Sequence, residues 1–326
     1  MSFELFFCWN ASTILAPKFY GLEKHLISSH LKLHFVVLIY GFTAILGKLI
    51  SLPATQLVWY RMLIAVITFY IYLRWKRTTL FVSRREFFRL TGIGIIVALH
   101  WIAFFGAIKI SNVSVALGCL ATSTLFTSLL EPFFFRKKIN VVEVITGLLI
   151  ILGLYLIFRF ETRYSTGVIV ALLAAFLAGL FSVINKKMVV RHKASVISFY
   201  EMIGGMTGIT IYLVIAGWGN IPLILPSSTD LVYLLALGII CTAFAFAVQV
   251  DIMKHLSAYV VALTINLEPV YGILMAYFLF GETERMTRGF YFGTTIILIS
   301  VLGFPLYHYF LKKNEGVSKV KNTPLF

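Results

Sequence analysis

LTGIGIIVALHWIAFFGAI, residues 90–108, runs without a charged side chain from Arg89 to Lys109. A stretch of about 20 apolar residues, wound as a helix, is long enough to cross a bilayer core of about 30 Å. Working outward, spans of this kind fall near residues 34–50, 56–73, 90–108, 113–135, 141–158, 165–184, 196–216, 230–250, 257–280 and 289–311. The fold class expected is an all-α integral membrane protein of ten transmembrane helices. The basic residues agree with that count. Of 28 Lys and Arg, 21 fall in alternate segments starting with the N-terminus and 6 in the segments between, with Lys48 at the end of the first span counted to the loop after it; Arg61 remains, inside a span. The positive-inside rule then places both termini and the heavy loops in the cytoplasm. Missing one span would flip every later loop and erase the alternation. The setting expected is a bacterial-type plasma (inner) membrane.

A net charge of +15 would suggest nucleic acid in a soluble protein. Here the basic residues sit in short loops such as Arg74–Lys76–Arg77 and Arg84–Arg85, beside anionic headgroups, so no nucleic-acid partner is expected. Of three cysteines, Cys119 and Cys241 lie inside spans and Cys8 near the start. No CxxC pair or Cys/His ligand spacing occurs, so neither a disulfide framework, a metal site nor a cofactor is expected. No loop is long enough for a soluble domain. Residues 1–33 read as an N-terminal tail and 312–326 as a cytoplasmic one. Phe3–Trp9 is apolar but too short to span, and the segment lacks the basic start and cleavage site of a signal peptide. It reads as an interfacial segment or as a start placed too early.

Ten spans invite a division into five and five. Ser114-Val-Ala-Leu-Gly-Cys-Leu120 aligns with Ser257-Ala-Tyr-Val-Val-Ala-Leu263, and Gly147-Leu-Leu-Ile-Ile-Leu152 with Gly293-Thr-Thr-Ile-Ile-Leu298. Residues 34–158 and 165–311 then form two repeats. An odd number of spans per repeat makes them enter the membrane in opposite senses, the plan of many secondary transporters, with substrate near the midplane. Gly204/Gly208, Gly289/Gly293 and Ala171/Ala175/Gly179 put small residues on one helix face for close packing.

Ionisable groups at bilayer depth are costly and mark candidate sites. Glu268 lies about 15 Å into the ninth span at 1.5 Å per residue. Asn266 precedes it and Pro269, which lacks an N–H and frees a carbonyl one turn earlier, follows. Together they suit a ligand or proton site; a protonated Glu fixing helix packing is the alternative. Arg61 could hold a substrate carboxylate, pair with an acid, or snorkel to the outer interface. His100, beside Trp101, suits either an interhelical hydrogen bond or proton coupling. Tyr60 and Trp101 are candidates to line a cavity. Glu131-Pro132 falls six residues deeper than its apparent twin Glu268-Pro269, near Arg136–Lys138, and reads as an interfacial ion pair or a cytoplasmic gate. Asp251, before Lys254, reads as interfacial, with Gln249 slightly deeper. Glu201 lies about one turn into the seventh span. Gly41…Gly47-Lys48 lacks the spacing and the Ser/Thr of a phosphate loop.

Asn266-Leu-Glu-Pro-Val270 followed by Phe280-Gly-Glu-Thr283 resembles the ninth-helix pattern and closing Gly-Glu of EamA-type transporters in the drug/metabolite transporter superfamily. Tyr60-Arg61 resembles the basic position of their second helix, and Ser111–Ala116 the start of their fourth; the likeness covers about residues 34–311. The first half departs from the pattern, with Arg136-Lys137-Lys138 where a Gly-Glu is usual and Glu131-Pro132 in place of a mid-helix Pro. The resemblance implies a ten-helix inverted-repeat carrier, often an exporter, of amino acids or related metabolites. Glu268, Asn266, Arg61 and His100 would serve the cavity, with proton coupling open to Glu268 or His100. A lipid or lipid-linked precursor translocator and an intramembrane enzyme are the rival classes. The partners expected are a small-molecule substrate and membrane lipids, the chain acting as monomer or homodimer.

Overall fold

A computed structural model describes residues 29–136, 141–160, 162–217, 223–265, 267–300 and 303. The 1–28 segment, Asn266, Lys137–Lys138 and the C-terminal tail lie outside the described residues. Everything regular among those residues is helical. The helices are α1 (Ser29–Leu49), α2 (Ala54–Trp75), α3 (Arg84–Ile110), α4 (Val113–Leu120), α5 (Ser123–Phe135), α6 (Val141–Phe160), α7 (Ser165–Met188) and α8 (Ala194–Gly217). Then come α9 (Ser228–Leu235), a π-helical segment (Ala236–Phe244), α10 (Ala245–Ile252), α11 (Ala258–Ile265) and α12 (Glu268–Phe280), and α13 over 288–300. Seven helical runs among the described residues are long and apolar enough to cross a membrane: α1, α2, α3, α4–α5, Thr162–Met188, α8 and Ser228–Ile252. The fifth, ninth and tenth expected intervals hold α6, α11–α12 and α13. The first helix starts at Ser29, five residues before the expected start.

Local chemistry sets several of the starts. Ser83, Asn112 and Ser227 turn their side-chain oxygens onto the N–H groups of Glu86, Val115 and Asp230, capping α3, α4 and α9. Pro269 occupies the first turn of α12, where its missing N–H costs nothing. Arg136, in the left-handed region at φ 52°, ends α5.

Two spans are broken, and they break alike. The fourth is an 8-residue α4 and a 13-residue α5; the ninth is an 8-residue α11 and a 13-residue α12. This places Ser123 and Glu268 at the same position of each half, first residue after the break. In the first half no proline marks the break: the Thr122 hydroxyl donates to the Cys119 carbonyl, 2.7 Å away, and so satisfies a group the helix has left.

The connections gather into two clusters. At one end Glu284, fully buried, accepts from the N–H groups of Val113 (3.1 Å) and Ser114 (2.9 Å) and pairs with Lys48 (2.7 Å). Lys109 donates to the Ile50 carbonyl at 2.6 Å and Ser51 to Asp230 at 2.6 Å. At the other end Lys186 donates to the carbonyls of Met253 and Leu256. There Glu86 meets Arg89, Arg191 and His192, and Tyr200 donates to the Leu80 carbonyl at 2.5 Å.

Between the ends α3 packs against both α7 and α8. Its seam with α8 is backbone on backbone. A methyl on Gly94 would overlap the Glu201 backbone, and one on Gly204 would overlap that of Thr91. Gly293 likewise meets Gly153 between α13 and α6. Lipid gives apolar side chains no reason to leave it, so close approach of small residues holds such helices together. Gly204→Ala is therefore expected to lower unfolding free energy by about 1–3 kcal/mol, the usual cost of overpacking. Gly92→Ala, on a face with nothing within 4 Å, is the control, expected to stabilise by about 0.5–1 kcal/mol. Thermal melts of the detergent-solubilised protein check both.

Candidate functional site

Four of the residues singled out in the sequence share one cavity. Arg61 from α2, His100 and Trp101 from α3, and Glu268 from α12 all border a central space of about 70 Å³. Tyr40, Thr43, Gln249, Ser123, Thr127 and Ser182 complete its polar edge; Phe104, Phe181 and Phe246 form an aromatic wall. The Tyr40 hydroxyl donates to Gln249 Oε1, tying α1 to α10 across the space.

Arg61 does not snorkel. It is 1 % exposed, with its guanidinium carbon 3.7 Å from the centre of the Trp101 ring. Cation–π attraction of this kind strengthens where water is excluded. Nε donates to Thr242 Oγ1 at 2.5 Å and Nη2 lies 3.5 Å from the Cys241 carbonyl. Both acceptors belong to the π-helical segment, where Thr242 in turn donates to Leu237, five residues back, at 2.6 Å. π-helical segments of this kind recur at functional sites. Nη1 is buried with no partner. Among the described residues no ion pair within 4.0 Å joins Arg61 to Glu268.

His100 is held by its Nδ1 at 2.8 Å from the Ala174 carbonyl, which ties α3 to α7, and its ring lies against Phe181 at 5.3 Å. Glu268 stands at the N-terminal end of α12, buried at the break, with Pro269 beside it. Arg61, with one nitrogen unpartnered, and Glu268 thus border the same small space. That is a polar pair able to receive a molecule carrying both signs of charge.

The remaining site residues fall elsewhere. Tyr60 packs on Trp59 and donates to the Ile224 carbonyl at 3.2 Å, away from the cavity. Glu131 is buried on α5 with Pro132 inside the same helix, and neither borders the cavity. Asp251 is exposed and pairs with Lys254 at 2.5 Å. Gln249, expected slightly deeper than Asp251, is buried and borders the cavity. Tyr40, Ser123 and Thr242 were missed. A lone polar residue in an apolar helix was the available signal for Tyr40. For Ser123 and Thr242 the sequence carries none.

A protein-family model, the EamA-like transporter family, matches residues 28–159 and again 165–304. The chain belongs to the EamA-like transporter family. That family lies within the drug/metabolite transporter superfamily. Each half of this family member thus matches the same model. An uncharacterized transporter of Bacillus subtilis, YxxF, is 22 % identical over 78 % of this chain and 82 % of its own length. One from Archaeoglobus fulgidus is 24 % identical over 78 % of this chain and 90 % of its own. A solved crystal structure superposes with a TM-score of 0.64 at 16 % identity, covering 84 % of this chain and 97 % of that one, a likeness of fold. With seven apolar helices of spanning length among the described residues, this EamA-like chain is an integral membrane protein of a transporter family.

Thr242→Val keeps the shape beside Arg61 and removes its closest acceptor. Loss of a hydrogen bond to a charged group predicts a destabilisation of about 1.5–3 kcal/mol. Cys241→Ala, which leaves the backbone carbonyl in place, is expected to cost clearly less. Melting curves of the two variants beside the parent protein make the comparison.

Proposed function

We propose that this chain is a secondary transporter of small zwitterionic metabolites of the amino-acid class, working by alternating access around the central cavity. The observation that carries the reading is the buried, unpartnered Nη1 of Arg61 in a cavity that Glu268 also borders. A substrate carboxylate would take the guanidinium edge, where charge-assisted hydrogen bonds are strong and directional. Its ammonium group would take the Glu268 carboxyl, with the aromatic wall against the side chain. The cavity of about 70 Å³ corresponds to a closed conformation that widens to admit substrate.

The architecture proposed is ten spans in two inverted repeats, with both termini in the cytoplasm of a bacterial-type inner membrane. It is supported by the repeated family match, by the alternation of basic loops, and by the identical 8-and-13 breaks of the fourth and ninth spans. Discontinuous helices at the repeat interface are where carriers of this plan hold substrate. Export is the proposed direction, following the family resemblance.

The test is uptake of radiolabelled common amino acids into proteoliposomes preloaded with the same compounds. Glu268→Gln and Arg61→Gln are each expected to lower exchange by about tenfold to a hundredfold, the worth of one charge-assisted hydrogen bond. Exchange that survives Glu268→Gln with its pH dependence intact would remove that residue from the site.

A further inference from the structure

Arg61 has a counterpart. It is the eighth residue of α2, and Glu201 is the eighth residue of α8. Both make the same contact. The Arg61 carbonyl faces Gly238, eleventh from Ser228, and the Glu201 carbonyl faces Gly94, eleventh from Arg84. The two contacts differ in closeness. A methyl on Gly238 would meet the Ile64 side chain at 2.6 Å and the Arg61 oxygen only at 3.3 Å, whereas one on Gly94 would overlap the Glu201 backbone at 2.0 Å. Matching positions of the two halves are thus held in unequal states: Arg61 borders the cavity and Glu201 is sealed from it.

Glu201 is also the most isolated carboxyl in the described interior. It is 0 % exposed, and neither oxygen has a hydrogen-bond partner. The Asn185 side chain faces it from α7, yet no hydrogen bond of good geometry forms and both Asn185 polar atoms are unpartnered. Ser198, one turn earlier on α8, is equally buried and its hydroxyl is unpartnered. No cation is at hand. The titratable groups on the elements packed around this stretch are engaged elsewhere or exposed. His100 on α3 holds Ala174, Lys186 on α7 holds Met253 and Leu256, Lys187 is exposed, and Asp251 on α10 pairs with Lys254. Arg61 on α2 is stacked on Trp101, and Glu86 on α3 pairs with Arg89. An interior this dry does not hold a bare carboxylate without donor or counter-ion, but it does hold the neutral acid.

We propose that Glu201, with Asn185 and Ser198, is a proton-binding coupling site, filled in the closed conformation and emptied when the two halves exchange states. The proposal rests on the carrier reading above. As the Gly94 seam loosens to the spacing now seen at Gly238, Glu201 comes to border water. Its O–H bond breaks, the proton passes to water, and the carboxylate left behind is stabilised by hydration and by the Asn185 amide. Ser182, which borders the cavity, lies one turn from Asn185 along α7, so the route between the two sites is polar.

Two readouts decide it. Infrared spectra of the detergent-solubilised protein are expected to show a neutral carboxylic-acid band that E201Q lacks. If the parent and E201Q spectra match there, the proposal fails whatever is transported. In proteoliposomes, uptake of a mixture of common amino acids driven by an imposed pH gradient is expected to fall about tenfold or more in E201Q. Substrate binding, read by thermal shift, should change by less than about threefold. E201D should keep the pH drive with a shifted midpoint, which a purely structural role for this position would not give and which serves if E201Q folds poorly. Drive retained in E201Q, or drive by a sodium gradient in place of pH, overturns the proposal and leaves the carrier reading standing. Absence of any amino-acid exchange in the parent protein defeats the carrier reading, while the infrared band still reports on Glu201 itself.

Discussion

A guanidinium in an interior that contains no bulk water must be solvated by the protein, and much of the bundle is arranged around doing so for Arg61. Its face is covered by Trp101 of α3, and two of its nitrogens are taken by Thr242 and Cys241 of the π-helical segment. Trp101 in turn stacks edge-on against Phe246 of α10, and Phe246 against Phe181 of α7. One charge therefore fixes the mutual positions of α2, α3, α7 and α10. Arginine suits this place better than lysine, because its planar head stacks on an aromatic face and still presents donors at its edge.

The second constraint is backbone polarity. A helix that breaks inside a membrane leaves carbonyl and N–H groups that lipid cannot satisfy. Thr122 covers one such carbonyl, and Asn112 and Glu284 cover the first turn of α4. Glu284 joins two helices to the turn that carries it, α1 through Lys48 and α4 through its amides.

Much of this was legible in the sequence. Hydropathy and the basic loops located the helical intervals, because both effects sum over many residues and tolerate local error. Glu268, Arg61 and His100 could be singled out because an ionisable group in lipid needs a reason to be there, and with Trp101 they border one cavity. What escaped was local geometry. The break after Leu120 has no proline to announce it. Nothing in the sequence marked the π-helical segment at Ala236–Phe244. Tyr60, adjacent to Arg61, points elsewhere, since successive residues of a helix lie about 100° apart. In the Gly-Glu-Thr-Glu turn the resemblance drew the eye to Glu282, whose side chain is 75 % exposed. The structure buries Glu284 two residues later. Asn266 lies outside the described residues.

The size of the central space has a consequence for the cell that would hold this protein. About 70 Å³ accommodates a few water molecules at roughly 10–15 Å³ of free volume each. An ion with an intact hydration shell does not fit that volume. On the carrier reading proposed above, a chain in this conformation would pass no steady ion current, and charge would cross only with a full turnover.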